Sequence, residues 1–324
     1  RDENGRSVLV TGEPGVGKTR LVQEVTRRRV EAGELVLAGA CSQDQATPYG
    51  PLTAALAAPV ERGGGDLVAA IGPRGAELAE LLPGLRVGAP PVEPSESGAD
   101  ADGFRIIESV RAWLTHLARE GPVLLVVDDL QWADSSTLGV LRDLVIRRPI
   151  TGLTVVATQR DTEPTEALPV GSFLADLARV DAVARVALEG MTAPELADLV
   201  LAMAGGGVGE GLDRVVELLA DRTGGNPLYS VQILRHLVDA DVVVLQDGVW
   251  TVDDAPAMAA VPAGIRAVID DRVGRLGPGV RELLDVAAVA GLDFDLGAVA
   301  RAAERSKSRP ATAATSSSSR TPGP

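Results

Sequence analysis

The sequence predicts an α/β fold in which a parallel sheet is flanked by helices and a helical segment follows. Three observations carry this. Five short runs rich in Val, Leu and Ala lie at residues 7–11, 35–40, 123–127, 153–158 and 183–188, with helical periodicity between them. The runs are continuously apolar rather than alternating, as strands buried on both faces are. After Leu188 the pattern turns helical, which places the sheet in the first part of the chain.

Taken in order, the first run leads through a glycine-rich stretch into a helix that starts at Lys18. Residues 62–101, rich in Gly and Pro, read as a loose insertion with one helix near 76–82. Phe104, Ile107, Val110, Leu114 and Leu117 recur at three- and four-residue spacing and mark the apolar face of a helix before the third strand. Beyond the fifth strand, Thr192 and Glu195 have the spacing of a capping box, and Leu196, Leu199, Val200 and Met203 would line one helix face. "GGGVGEG" at 205–211 reads as a turn, with helices near 212–222 and 227–239. "VVVLQDGVWTV" reads as a hairpin turning at Asp247-Gly248. A helical pair is expected over 262–303. The serine-rich end, 305–324, lacks the apolar residues that would order it. The expected divisions are an α/β core over 1–190, a helical segment over 191–245, a hairpin and helical pair over 246–304 and a disordered tail over 305–324.

Composition narrows the function. With 324 residues, 45% of them hydrophobic, the chain can form two or three cores. No apolar run approaches the ~20 residues that span a bilayer, so no membrane role is expected. The single cysteine, Cys41, allows no internal disulfide, which fits a cytoplasmic location, and a small buried residue at a strand end suits it better than a nucleophile. A net charge of −14 repels polyanions, so these residues are expected to make no direct nucleic-acid contact. Lysine occurs only at Lys18 and Lys307, although arginine is frequent, so Lys18 is a position arginine did not take over. His116 and His236 lie in helical patterns and read as packing or surface residues. Arg27, Arg28 and Arg29 suit the solvated end of a helix.

The chemistry concentrates in two stretches. In "TGEPGVGKTR", Gly12, Gly17, Lys18 and Thr19 fit G-x-x-x-x-G-K-[ST] between a strand and a helix, the context a P-loop requires. Its glycines let successive N–H groups face phosphate oxygens at a helix N-terminus. Gly12, Glu13, Pro14, Gly15, Val16, Gly17, Lys18, Thr19 and Arg20 are therefore the expected nucleotide-binding residues, with Lys18 on the β/γ-phosphates and Thr19 on Mg²⁺. In "LLVVDD", a buried strand delivers Asp128 and Asp129 to its carboxyl end, where open α/β sheets bind ligands. Asp128 is assigned to Mg²⁺ and Asp129 to the attacking water. On its own such a pair suits an acidic turn equally well; about a hundred residues behind a P-loop it signals a P-loop NTPase fold binding ATP or ADP with Mg²⁺. "VVATQR" adds Thr158 and Arg160 as candidate γ-phosphate sensors, although pairing of Arg160 with Asp161 accounts for it equally. "GGNP" at 224–227 suits a turn that places Pro227 first in a helix.

The set "VLVTGEPGVGKTRLVQE", "LLVVDDLQWADSSTLGVLRDL", "GLTVVATQRDTE", "LEGMTAPELADLV" and "TGGNPLYSVQILRHLV" resembles the signal-transduction ATPases with numerous domains (STAND). It is most similar to the ATPase module of large ATP-binding LuxR-type regulators. The resemblance covers residues 8–239. It implies a P-loop NTPase core over 1–190, a helical lid over 191–245 whose Pro227 contacts the nucleotide base, and a partial winged-helix-like region over 246–304 that "VPAGIRAVIDDRVGRL" opens. Two of the family's usual features lie outside these residues: an adenine-binding "GRExEL"-like opening, and the sensor repeats with a carboxy-terminal DNA-binding domain. DNA contact is accordingly expected only through a domain of a longer parent protein, together with an unidentified signal ligand or protein and a nucleotide-dependent oligomer.

Three functions compete. A switch hydrolyses ATP slowly, a remodeller turns over to do work, and a P-loop kinase phosphorylates a small molecule. The kinase lacks a second basic cluster for a lid, and a ring-forming motor lacks an identifiable arginine for a neighbour's site. The switch is the leading expectation.

Overall fold

The computed structural model describes residues 6–43, 47–63, 71–72, 74–81, 99–161, 169–204, 207–209, 211–246, 249–252, 273, 278–290, 295, 297–299 and 301. They fall into two compact units, one of residues 1–207 and 211–231, the other of 208–210 and 232–324.

The first unit is built on five parallel strands: β1 (Arg6–Gly12), β2 (Leu35–Ala40), β3 (Val123–Asp128), β4 (Leu153–Arg160) and β5 (Val183–Leu188), in the order β2-β3-β4-β1-β5. Two of the five have the expected bounds. β4 runs two residues further than 153–158, which carries Gln159 and Arg160 out on a strand end. The side-chain period of two then sorts the sheet. Leu9, Leu37, Leu125, Val127, Val155 and Ala157 point into the larger core, and Val8, Val10, Val36, Leu124, Val126 and Val156 into the smaller one on the opposite face.

A single helix, α1 (Lys18–Glu31), brings Val22 and Val25 to the smaller core. Its basic end is paired as well as solvated: Arg27 meets Glu24 and Glu31, Arg28 meets Glu24, and Arg29 meets Glu34. The larger core is closed by α2 (Gly50–Gly63), α3 (Arg74–Leu81), α4 (Ala99–Glu120), α5 (Ser135–Arg142) and α6 (Pro169–Leu177). Helix α2 was not anticipated from the sequence. It lies so close on β2 that a Cβ at Gly39 would sit 1.9 Å from the Pro51 carbonyl oxygen, so glycine is what permits the contact.

Three expectations are corrected. β5 is an edge strand, exposed from Ala184 to Ala187, not buried on both faces. Val110, Leu114 and Leu117 face the core as the period requires, but Phe104, near the start of α4, is 60% exposed. Met203 is likewise exposed beyond Leu196 and Val200, near the end of α7 (Ala193–Ala204). In the cap of α7, the Glu195 carboxylate accepts both the Thr192 N–H (2.8 Å) and its hydroxyl (2.7 Å). The unit ends with α8 (Leu212–Thr223) and the first turns of α9 (Pro227–Asp239).

The second unit carries the remainder of α9. β7 (Val243–Gln246) and β8 (Val249–Val252) form the expected hairpin, with Val243 opposite Val252 and Gln246 opposite Val249. Its turn, Asp247-Gly248, lies outside the described residues. The stretch expected as a plain turn at 205–211 contributes β6 (Gly207–Val208), the edge of a three-stranded sheet ordered β6-β8-β7. Helix α10 (Pro278–Ala290) falls within the expected helical pair. Most of the expected winged-helix-like region and the whole tail 305–324 lie outside the described residues. Among the described residues no helix is long and apolar enough to cross a membrane.

Candidate nucleotide site

β1, β4 and β3 end side by side, and their carboxyl ends bring the sequence-selected residues together. Past β1, the loop 12–17 leads into α1, whose N-cap is Gly17 in the left-handed region at φ 108°. The Lys18 ammonium donates to the carbonyl oxygens of Gly12 (2.8 Å) and Glu13 (2.9 Å) and is buried under the loop. Burial, with a smaller repulsion from Arg160, lowers its pKa below the usual lysine value against the pull of Asp129, Asp161 and Asp128. A phosphate at this position would replace the hydration that burial removes. Arg20, also selected, is exposed on the first turn of α1.

Asp128 closes β3 and is reached from two sides. The Thr19 hydroxyl donates to its Oδ2 at 3.0 Å, and the Thr158 hydroxyl, from neighbouring β4, donates to its Oδ1. Thr158 is fully buried and also accepts the Asp129 N–H at 2.8 Å. One hydroxyl thus engages both of the paired aspartates. Thr19 and Asp128 supply two hard oxygens within hydrogen-bond distance, a donor set that suits Mg²⁺, which keeps waters and phosphate oxygens as its other ligands. Bound there, Mg²⁺ would neutralise charge on the phosphates. No group of three or more metal-ligating side chains occurs among the described residues.

Asp129 turns the chain sharply, with φ 59° and ψ 53°, a left-handed conformation that aspartate tolerates better than bulkier residues. A single 3₁₀ turn, Leu130–Trp132, follows and folds back on the site. Gln131, 4% exposed, donates from Nε2 to Asp129 Oδ1 at 2.8 Å and accepts the Arg160 N–H at 3.3 Å. The Arg160 guanidinium lies over the Trp132 ring, 4.3 Å from its centroid, with Nε 3.9 Å from Asp129 Oδ1. The last aspartate of "DDLQWAD", Asp134, is the N-cap of α5, accepting the N–H groups of Ser136 (2.9 Å) and Thr137 (3.0 Å).

A further contact comes from the turn between α8 and α9. Asn226, 2% exposed, donates from Nδ2 to the Pro14 carbonyl at 2.9 Å and accepts the Leu228 N–H at 3.1 Å. The Leu228 N–H is also 3.3 Å from the Gly15 carbonyl. Gly15, at φ 84°, has room for no side chain: a Cβ would lie 2.8 Å from Leu228 Cβ and 2.9 Å from Asn226 Oδ1. Pro227 therefore opens α9 between two residues that touch the phosphate loop. Gln131, Trp132 and Asn226 were not selected from the sequence. The first two lay unused inside a quoted motif, and the third inside a segment that a turn explained.

Cys41, just past β2, is buried, and burial together with the nearby Asp134, Asp129 and Asp128 pushes its thiol up to about 12. It is a small core residue at a strand end, as expected. His116 stacks on Trp113 and lies 3.5 Å from Glu120, away from the site.

Residues 1–156 match the family model described as the AAA ATPase domain. Among solved structures, a STAND protein with a tetratricopeptide repeat sensor from Pyrococcus horikoshii is similar at 14% identity and a TM-score of 0.46, over 90% of this chain and 33% of that one. The chain thus spans about a third of that protein's length. Cdc6p from Pyrobaculum aerophilum is similar at 16% identity and a TM-score of 0.44, over 97% of this chain and 78% of that one. The ORC2 protein of Aeropyrum pernix, solved as ADPNP-ADP complexes, is similar at 14% identity and a TM-score of 0.44, over 94% and 74%. No curated protein matches the chain. The five-stranded parallel sheet with its phosphate loop is an α/β P-loop NTPase fold, and with the match over residues 1–156 it supports a P-loop ATPase.

Proposed function

We propose that the chain is a nucleotide-dependent switch: a module that binds ATP with Mg²⁺, hydrolyses it slowly and passes its nucleotide state to the helical segment 191–245. In this reading it is the regulatory ATPase part of a larger, cytoplasmic transcriptional regulator of LuxR type. A signal ligand or protein sets its state, and a nucleotide-dependent oligomer carries the output. The observation that supports a switch best is the Asn226 bond to Pro14, because it ties the loop that holds phosphates to the start of α9.

The residues take the following roles. Lys18 and the loop N–H groups hold the phosphates, while Thr19 and Asp128 hold Mg²⁺. Asp129 accepts the proton of the attacking water, Thr158 fixes the two aspartates, and Pro227 meets the base. Arg160 is the group that would steady charge on the transferring phosphoryl group. Its guanidinium lies over Trp132 and beside Asp129, and in the switch reading these contacts hold it back from the phosphates and keep turnover slow.

The AAA match also suits a working ATPase that drives remodelling. Single-turnover hydrolysis by nucleotide-free protein separates the two. The switch predicts a rate well below the ~10 s⁻¹ median of enzymes and retention of ADP afterwards. Fast turnover with free release of ADP contradicts it.

A further inference from the structure

We infer that Gln131 is a positioning residue for hydrolysis, holding the Asp129 carboxylate and the end of β4 in one fixed arrangement. The inference rests on the proposal that Asp129 receives the proton of the attacking water.

A primary amide buried to this degree is unfavourable unless its hydrogen bonds are made, and Gln131 has two that matter. Its N–H donates to the Asp129 carboxylate and its oxygen accepts from the Arg160 backbone. Only this orientation of the amide satisfies both, because a flipped one would set NH₂ against N–H and oxygen against carboxylate. The location explains the need. Ladder pairing between β3 and β4 ends at Val127 and Ala157. Beyond that point side chains bridge the strands in place of backbone bonds. Thr158 joins β4 to Asp128 and the Asp129 N–H, and Gln131 joins the Asp129 carboxylate to the Arg160 N–H. Trp132, the next residue, carries the Arg160 guanidinium. The proposed base and the site's arginine are therefore set by one three-residue turn.

Removing Gln131 should therefore slow hydrolysis while leaving ATP binding in place, a split between rate and affinity that loss of packing alone does not produce.

The test uses the full chain with Gln131→Met, Gln131→Glu, Asp129→Asn and the double variant Asp129→Asn/Gln131→Met. For Gln131→Met, ATP affinity by calorimetry should stay within about threefold, while single-turnover hydrolysis falls about tenfold, the scale of one lost hydrogen bond. Gln131→Glu keeps the acceptor for the Arg160 N–H but sets a second carboxylate against the first, so it should slow hydrolysis at least as much. Amide exchange at Arg160 should accelerate without any contribution from activity. The double variant should be no slower than Asp129→Asn. Parental hydrolysis rates in both Gln131 variants, or a double variant slowed by the product of the two single effects, would overturn the role. If Asp129→Asn hydrolyses at the parental rate, the assignment of the base fails and this inference with it. A normal loss in Asp129→Asn beside an unaffected Gln131→Met overturns this inference alone.

Discussion

Replacing Asn226 by alanine removes both of its bonds at a position 2% exposed. The two partners lose unequally. The Leu228 N–H still has the Gly15 carbonyl at 3.3 Å, so it is not left bare. The Pro14 carbonyl, on a half-buried residue, loses the Asn226 donor. One orphaned buried group costs about 1–3 kcal/mol, so the expected loss is about 2 kcal/mol. In a unit of this size 1 kcal/mol corresponds to roughly 2–4 °C in Tm, which puts the shift near ~6 °C. Asn226→Asp should do at least as much damage, because it keeps the acceptor for Leu228 but aims a carboxylate at a carbonyl. Urea denaturation followed by far-ultraviolet circular dichroism measures the loss, and amide exchange over residues 14–17 reports whether the phosphate loop loosens. A change under about 0.5 kcal/mol, with exchange in the loop unaltered, would refute the claim that Asn226 secures the loop.

Lys18→Ala should abolish ATP binding, because it removes the buried ammonium that caps the loop carbonyls and faces the phosphates; unchanged calorimetric affinity would sink the phosphate-loop assignment. Asp129→Asn should bind ATP normally but hydrolyse it about a hundredfold more slowly, the lower range for a lost general base, as read by single-turnover release of phosphate. Cys41 should make the fold less stable at alkaline pH. Its thiol ionises near 12 when folded but near ~8.5 when unfolded, so between those values the unfolded chain has released a proton that the folded one retains, and stability falls as pH rises. A Cys41→Ala variant, compared by urea denaturation from pH 8 to 11, should lose this component of the decline.

Much of the sheet was legible because β3 and β4 are buried on both faces, which favours apolar β-formers along most of their length. The same signal misled at β5, where Val183 to Leu188 look identical whether a strand is central or at an edge. Periodicity located α4 but not its limits, since Phe104 keeps the spacing after the core has ended. Helix α2 was hidden by Gly50, Pro51 and Pro59, residues that interrupt helical patterns although Pro51 sits harmlessly in a first turn. In the site, the phosphate loop and Asp128 were legible because their residue types sit at fixed local spacings. Gln131 and Asn226 were not. Asn226 meets Pro14 across 212 positions of sequence, and Gln131 meets Arg160 across 29, separations that no local pattern encodes.

The account stands on the phosphate loop and the turn before α9 responding together to nucleotide. Amide exchange across residues 223–231 in the Asp129→Asn variant, with and without saturating ATP and Mg²⁺, tests this directly. Protection in that turn should change on binding, while β1, β3 and β4 remain as they were, and adding Asn226→Ala should abolish the response without abolishing binding. Identical exchange in residues 223–231 with ATP bound and absent would contradict the switch.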